Sequence, residues 1–548
     1  KVWDQDGRAS EWSDQEKFEL GLLENKDWRG KWIRKSPFKA SIAVAKPEIR
    51  IKKALYGVLG NAKQQIDLTE KIQKRVQAGK HAVSANNNFA GEDPASGVKK
   101  ILLIEYTLNG DRKVERIEEN KEISLLTGKA IVRKNFVPEY LRREFNLKGA
   151  IAQARLYATA KGVFQIYLNG QKVGEDFMAP GWTPYSHQIE TLTYDVTSQL
   201  KAGANAIGAI LGEGWYAGRL LGKEYRYPAA KPALLLQLEI IYTDGSVARI
   251  VSDDAWSATS NGPIRVAGIY RGANYDARME MPGWNEVRFD DADWNGVATE
   301  AVESTPRLQP KRHHPVRAVK ELATVEVTEP EPGRFVFDMG QNMVGWPRLK
   351  IPVEKGKTVT VRVAEMLQAD GTLYTANYRK AKSIDFYSPA ETGSIEWHPL
   401  FTFHGFRYVE LSGLPAGARP TPEWVTGVVL HSDFPETGSF TSSHEKLNQL
   451  HSNIRWGQRG NFLDIPTDCP QRDERLGWTG DAQVFAATSL FNFDVQAFWM
   501  SWLESMRAEQ KADGQIQHVI PTLTKDYAGS PGWADAAVIV PWNVYLYS

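Results

Sequence analysis

The chain has 548 residues, too many for one hydrophobic core, so three or four domains are expected. Its 67 basic and 66 acidic residues carry no electrostatic footprint of a nucleic-acid binder, and the expected partner is a neutral molecule. The lone cysteine, Cys469, excludes an internal disulfide framework, and no stretch approaches the roughly 20 apolar residues of a membrane span.

Val2-Trp3-Asp4 and the run from Glu11 to Leu20 read as two short strands around a Gly-containing turn. That is too little for an independent sheet, so residues 1–38 are assigned to the end of an N-terminal, fibronectin III-like β-sandwich and a linker, with more chain expected upstream. Lys1 to Asp4 does not read as a signal peptide, which leaves localisation open; a secreted or periplasmic place in a bacterium is the expectation. Residues 39–134 form a Lys-rich inserted unit of α+β or β type. Within it Ile101 to Leu108 reads as a strand with Asn109-Gly110 as a hairpin turn behind it. Trp28 to Ile33 before the unit and Leu141 to Phe145 after it fit one sandwich that the unit interrupts. Asn86, Asn87, Asn88, Glu92 and Asp93 offer oxygen atoms to calcium but lack EF-hand spacing, and a solvated loop is the simpler reading.

From about residue 136 to 430, short alternating runs such as Phe164 to Leu168 and Thr358 to Val363 are punctuated by turn signals, the pattern of antiparallel sandwiches. Two are expected, at 135–315 and 316–438. After about 435 the period becomes helical. Ser442-Ser443-His444-Glu445 reads as a capping box ahead of Leu447, Leu450 and Ile454 on one face. Asp494 reads as the cap of a second helix whose Val495, Phe498, Trp499, Trp502, Leu503 and Met506 form a core stripe ending near Asp513-Gly514. The run from Trp533 to Tyr545 is apolar and helical, and the chain reads as one cut from a larger protein.

The densest chemistry lies in Asp468-Cys469-Pro470-Gln471-Arg472-Asp473-Glu474-Arg475-Leu476-Gly477-Trp478-Thr479-Gly480-Asp481. Four acids this close cannot all ionise at their ordinary pKa values without mutual repulsion, so at least one is expected to suit a general acid. The bland reading pairs Arg472 and Arg475 with Asp473 and Glu474, and makes Asp481 the N-cap of a helix over Ala482 to Phe491. The 18 Trp, 20 Tyr and 21 Phe fit sugar stacking and large sandwich cores equally well.

On these residues the chain resembles the bacterial α-L-rhamnosidases of glycoside hydrolase family 78. The resemblance extends upstream through Leu168-Asn169-Gly170, Ala179-Pro180-Gly181-Trp182-Thr183, Gly212-Glu213-Gly214-Trp215-Tyr216, Phe337-Asp338-Met339-Gly340-Gln341-Asn342 and Phe403-His404-Gly405-Phe406-Arg407-Tyr408. It implies several antiparallel β-sandwich domains followed, from 439 to 548, by the start of an apparently truncated (α/α)6 barrel. It also implies hydrolysis of terminal α-L-rhamnosides with inversion, Glu474 serving as general acid. Asp468, Arg472, Trp478 and Asp481 match positions lining the rhamnose subsite, and Trp533 with Asp535 fall in a second stretch near it. The indoles suit the sugar's methyl group, the aspartates its hydroxyls, and an apolar wall beside Glu474 would keep it protonated. Inversion needs a second carboxylate, roughly 6.5 to 9.5 Å from the first; the resemblance puts this general base beyond residue 548. No cofactor is expected and no metal is assigned, because a calcium site in an accessory sandwich maps onto no residue here. Two alternatives stand: a non-catalytic carbohydrate-binding protein, and a related (α/α)6 enzyme acting on another sugar, including a uronate polymer by elimination.

Overall fold

The computed structural model describes residues 1–14, 18–39, 48–77, 81–125, 136–221, 231–302, 306–523 and 527–547. The chain divides into two compact units, residues 41–135 and the remainder. The domain boundaries expected at 134 and 135 lie outside the described residues, whereas that at 38 and 39 falls inside the strand Trp32–Lys39.

In residues 41–135, a four-stranded sheet runs in the order Gln65–Asp67, Ile49–Gly57, Ile101–Leu108, Asp111–Glu118. The last two strands form the expected hairpin. Asn109 and Gly110 both have positive φ, 51° and 93°, which an Asn-Gly pair tolerates and which matches the twist of the flanking strands. The helix Thr69–Gln77 buries Ile72 and Val76 in a core with Tyr56, Leu102, Ile104 and Tyr106. Of the oxygens considered for calcium, those of Asn86 and Asp93 are engaged elsewhere. Asn86 caps the short helix Asn87–Ala90 through Phe89 N, and Asp93 pairs with Lys100 at 3.1 Å, so this stretch is an internally bonded loop.

The larger unit begins without a sheet. Where two strands were expected, the described part of residues 1–31 makes only a Trp3–Ala9 bridge, and Trp3, Trp12 and Phe18 are exposed. Too few apolar side chains meet there to cover paired strands. The strand Trp32–Lys39 instead joins a twelve-stranded sheet, in which two strands separate it from Glu139–Leu147. Leu141, Ile207 and Leu211 from one part of that sheet meet Leu156, Leu234 and Leu236 from another in one core, so the sheet wraps on itself as a sandwich.

A second, ten-stranded sheet is centred on Arg334–Val353 and His404–Ser412 and has its own core, including Phe337, Val361, Phe406 and Val409. It contains a departure from the sequence reading. Ile264–Gly268 and Gly272–Asp276 fall in the range assigned to the first sandwich, yet Gly272–Asp276 pairs in parallel with Ile384–Ser388 of the second. The chain thus crosses into the second sheet and returns, a step that local alternation does not encode.

Four helices follow: Glu445–Asn461, Thr479–Asn492, Gln496–Ala508 and Ala536–Tyr547. The stripe of Phe498, Trp499, Trp502 and Met506 is buried, with Trp499 Nε1 donating to Ser489 and Trp502 Nε1 to the Ile520 carbonyl. All three cap assignments are corrected. The N-cap positions are His444, Trp478 and Val495, none with a side-chain cap bond, so Glu445 is the first helical residue and Asp481 lies in the first turn of its helix. The Asn448 side chain closes the turn at Ser442 instead, and ahead of the third of these helices Asp494 N donates to the Pro435 carbonyl. Leu447 and Leu450 are exposed, so the first helix does not bury the face read from its spacing. Among the described residues no helix is long and apolar enough to cross a membrane.

Candidate active site

The segment between the hairpin Phe462–Leu463/Ile465–Pro466 and the helix Thr479–Asn492 is an irregular loop whose shape is set by two residues. Asp468 closes it: its N–H donates to the Leu476 carbonyl at 3.0 Å, and its Oδ1 accepts from Leu476 N at 2.8 Å. Arg475 fills it. Its buried guanidinium donates to the carbonyls of Arg472, Gln471, Ile269 and Phe403 at 2.8–3.0 Å and lies against the rings of Tyr270 and Phe403. Arg475 is therefore a scaffold rather than an ion-pair partner of Asp473 or Glu474. Gly477 is required by close approach, because a Cβ there would strike the Ile520 carbonyl.

This scaffold holds Glu474 with its side chain 18% exposed. Oε2 accepts from Arg472 Nε and from Arg379 Nη1, each at 2.9 Å, and Oε1 accepts from Trp478 Nε1 at 3.1 Å. The apolar wall expected beside Glu474 is not what contacts its carboxylate; two guanidiniums and an indole N–H do. Trp478 thus turns a polar edge toward the acid, while its body packs on the core. Arg472 also donates through Nη2 to Asp468 Oδ2 at 3.0 Å and so bridges two carboxylates. Burial and then the nearby charge of Glu474 push the Asp468 pKa up, against the pull of Leu476 N–H and Arg472. The same two influences raise Asp481.

Asp468, Asp481 and Trp533 line a cavity of about 640 Å³ whose other walls include Gln458, Phe462 and Phe485. Trp533 reaches it beside Gly480, where a Cβ would sit 3.1 Å from the indole nitrogen. Glu474 is tied to this wall through Arg472 and Asp468. Asp535 is not brought to the cavity: its Oδ2 accepts from Gly532 N at 2.9 Å and shapes the turn before the last helix.

Three contributors went unread in the sequence. Arg379 comes from the second sandwich, Tyr270 OH donates to the Glu474 carbonyl at 2.5 Å, and Asp473 accepts from Lys380 N at 3.3 Å. Among the described residues Asp473 makes no ion pair, which corrects its reading as a partner for arginine. The signal for these contacts was weak, since Tyr378-Arg379-Lys380 reads only as a basic loop far from the acids.

Among the described residues, two side-chain groups have metal-ligating composition. Asp468, Cys469 and Glu474 hold ligand atoms within 4.8 Å of one another, but Arg472 bridges the two carboxylates. Glu190, His313 and Asp464 are buried together around Lys311, whose Nζ lies 2.7 Å from Glu190, 2.6 Å from Asp464 and 2.9 Å from His313. Both sets fit an internal cation better than a metal ion.

Three family profiles match the chain: the alpha-L-rhamnosidase N-terminal domain at 149–320, the bacterial alpha-L-rhamnosidase concanavalin-like domain at 328–431, and the bacterial alpha-L-rhamnosidase six-hairpin glycosidase domain at 435–548. An alpha-L-rhamnosidase of Formosa agariphila is 45% identical over 546 residues, 100% of this chain and 50% of the relative. One of Alteromonas sp. (strain LOR) is 39% identical over 547 residues, with the same coverage. The chain spans about half the length of these curated relatives. The solved structure of a Streptomyces avermitilis alpha-L-rhamnosidase complexed with L-rhamnose superposes with a TM-score of 0.77 at 35% identity, covering 99% of this chain and 60% of that one.

Proposed function

We propose, for a chain whose segments 149–320, 328–431 and 435–548 belong to the bacterial α-L-rhamnosidases of glycoside hydrolase family 78, that it forms the acid half of an active site for terminal α-L-rhamnosides. In this reading Glu474 passes its proton to the glycosidic oxygen as the bond to C1 breaks. Asp468 and Asp481 accept hydrogen bonds from the sugar hydroxyls, and Trp533 with Phe462 and Phe485 offers apolar surface to the 6-methyl group. Water attacks the opposite face of C1 and gives its proton to a second carboxylate, which this reading places outside residues 1–548.

The observation carrying the proposal is the bonded relay Glu474–Arg472–Asp468 at the wall of the cavity. It joins a proton donor to a sugar-sized space through one guanidinium. The rhamnose complex of the Streptomyces relative supports the choice of sugar. The test is proton NMR of the full protein acting on an aryl α-L-rhamnoside. The β anomer of rhamnose is expected first; the α anomer first contradicts inversion, and no release contradicts the activity.

A further inference from the structure

The contact between Arg379 and Glu474 joins the second sandwich to the helical segment at the one carboxylate read as the proton donor. We infer that Arg379 is a positioning residue for Glu474, holding Oε2 and stabilising the carboxylate that remains once the proton has moved to the leaving oxygen. The inference rests on the reading of Glu474 given above. In that step the proton leaves Glu474 for the glycosidic oxygen, which also takes the electron pair of the breaking C1–O bond, so negative charge develops on Glu474. A guanidinium 2.9 Å from Oε2 meets that charge as it forms, which accelerates the step if the contact is stronger in the transition state than before it.

The loop holding Arg379 is built to aim it. Arg379 itself has φ 56° and ψ −109°, a backbone conformation that costs a non-glycine residue energy and persists only where the surroundings enforce it. The enforcement is visible on both sides. Before it, Tyr378 is buried and its hydroxyl donates to the Gly405 carbonyl at 2.6 Å. After it, Lys380 N donates to Asp473 at 3.3 Å, and Lys382 N to the Tyr270 carbonyl at 2.8 Å. Tyr270 in turn donates its hydroxyl to the backbone carbonyl of Glu474. The loop is thus fastened to the residue preceding Glu474 and to Glu474 itself.

The side chain of Arg379 is 56% exposed, so its pair with Glu474 adds little to folding stability. An anchored, strained backbone ending in a guanidinium with little structural value is what a residue acting through Glu474 requires. Arg472 differs, since it also binds Asp468 and is less exposed. Among the described residues, Arg379 pairs with one carboxylate alone.

The test uses the full protein with Arg379→Ala and Arg379→Lys, an alkyl α-L-rhamnoside whose leaving group needs protonation, and a 2,4-dinitrophenyl α-L-rhamnoside whose leaving group does not. Arg379→Ala is expected to lower kcat on the alkyl substrate by about 10- to 100-fold and on the dinitrophenyl substrate by less than about 3-fold, with the unfolding midpoint unchanged. Arg379→Lys should recover part of the loss. In a Glu474→Gln background, Arg379→Ala should add no further loss on the alkyl substrate. Equal losses on both substrates, a loss confined to KM, or a full further loss in the Glu474→Gln background overturns the inference. A wild-type protein that cleaves neither substrate overturns the underlying reading of Glu474, and the inference with it.

Discussion

Lys311 between Glu190 and Asp464, and Arg472 between Asp468 and Glu474, are two arrangements of one cation shared by two carboxylates, yet they differ in their access to water. In the first, all three side chains are 3–6% exposed. Burial opposes the ionised form of Glu190, but Lys311 and then His313 outweigh it and hold the Glu190 pKa down; the two carboxylates likewise hold Lys311 up. In the second, Arg472 is 30% and Glu474 18% exposed, and the cluster abuts a cavity. The first ties strand Gln188–Asp195 to the hairpin tip at Asp464 and serves the fold. The second has Asp468 on the cavity wall and Glu474 one guanidinium behind it.

The largest expected effect breaks the buried cluster. Lys311→Met removes the central cation and leaves two buried carboxylates with His313 beside them; breaking such a buried pair typically costs about 3–5 kcal/mol. Chemical denaturation should show a loss of this size, and a midpoint indistinguishable from wild type would remove the contrast drawn here. A smaller effect sharpens it at an acid outside both clusters. Burial pushes the Glu509 pKa up to about 8, against a bond from Thr522 N. Its pKa when unfolded is about 4.3, so the folded state binds this proton more tightly, and the associated stability is present below that value and is lost as pH rises toward 8. Glu509→Gln removes the titration. Its melting temperature should exceed wild type by a few degrees at pH 9 and by less at pH 5; a difference independent of pH would contradict the assignment.

The two clusters also differ in how far the sequence disclosed them. Asp468, Arg472, Glu474, Trp478 and Asp481 lie within fourteen consecutive positions, so one loop shows its composition directly. Glu190, Lys311 and Asp464 are separated by more than a hundred residues at each step; parallel strand pairing brings Lys311 to Glu190, and the hairpin at the start of the helical segment brings Asp464 to both. Arg379 was missed for the same reason. The sandwich and helical characters were legible because alternation and 3.6-residue periodicity are local properties. Caps at Ser442, Asp481 and Asp494 were misplaced because a polar residue near a helix start need not cap it: Ser442 bonds the Asn448 side chain instead. The transfer of Gly272–Asp276 to the second sheet depends on its pairing with Ile384–Ser388, over a hundred residues away.

The claim that Glu474 is the proton donor is tested most directly by Glu474→Gln in the full protein, assayed on an alkyl α-L-rhamnoside. Gln keeps the shape and its one oxygen can still accept from Arg472 and Arg379, but its amide nitrogen accepts no bond from Trp478 and has no acidic proton to give. The account predicts a fall in kcat of about 10²- to 10⁴-fold with an unchanged melting temperature. Turnover within about 3-fold of wild type would contradict it.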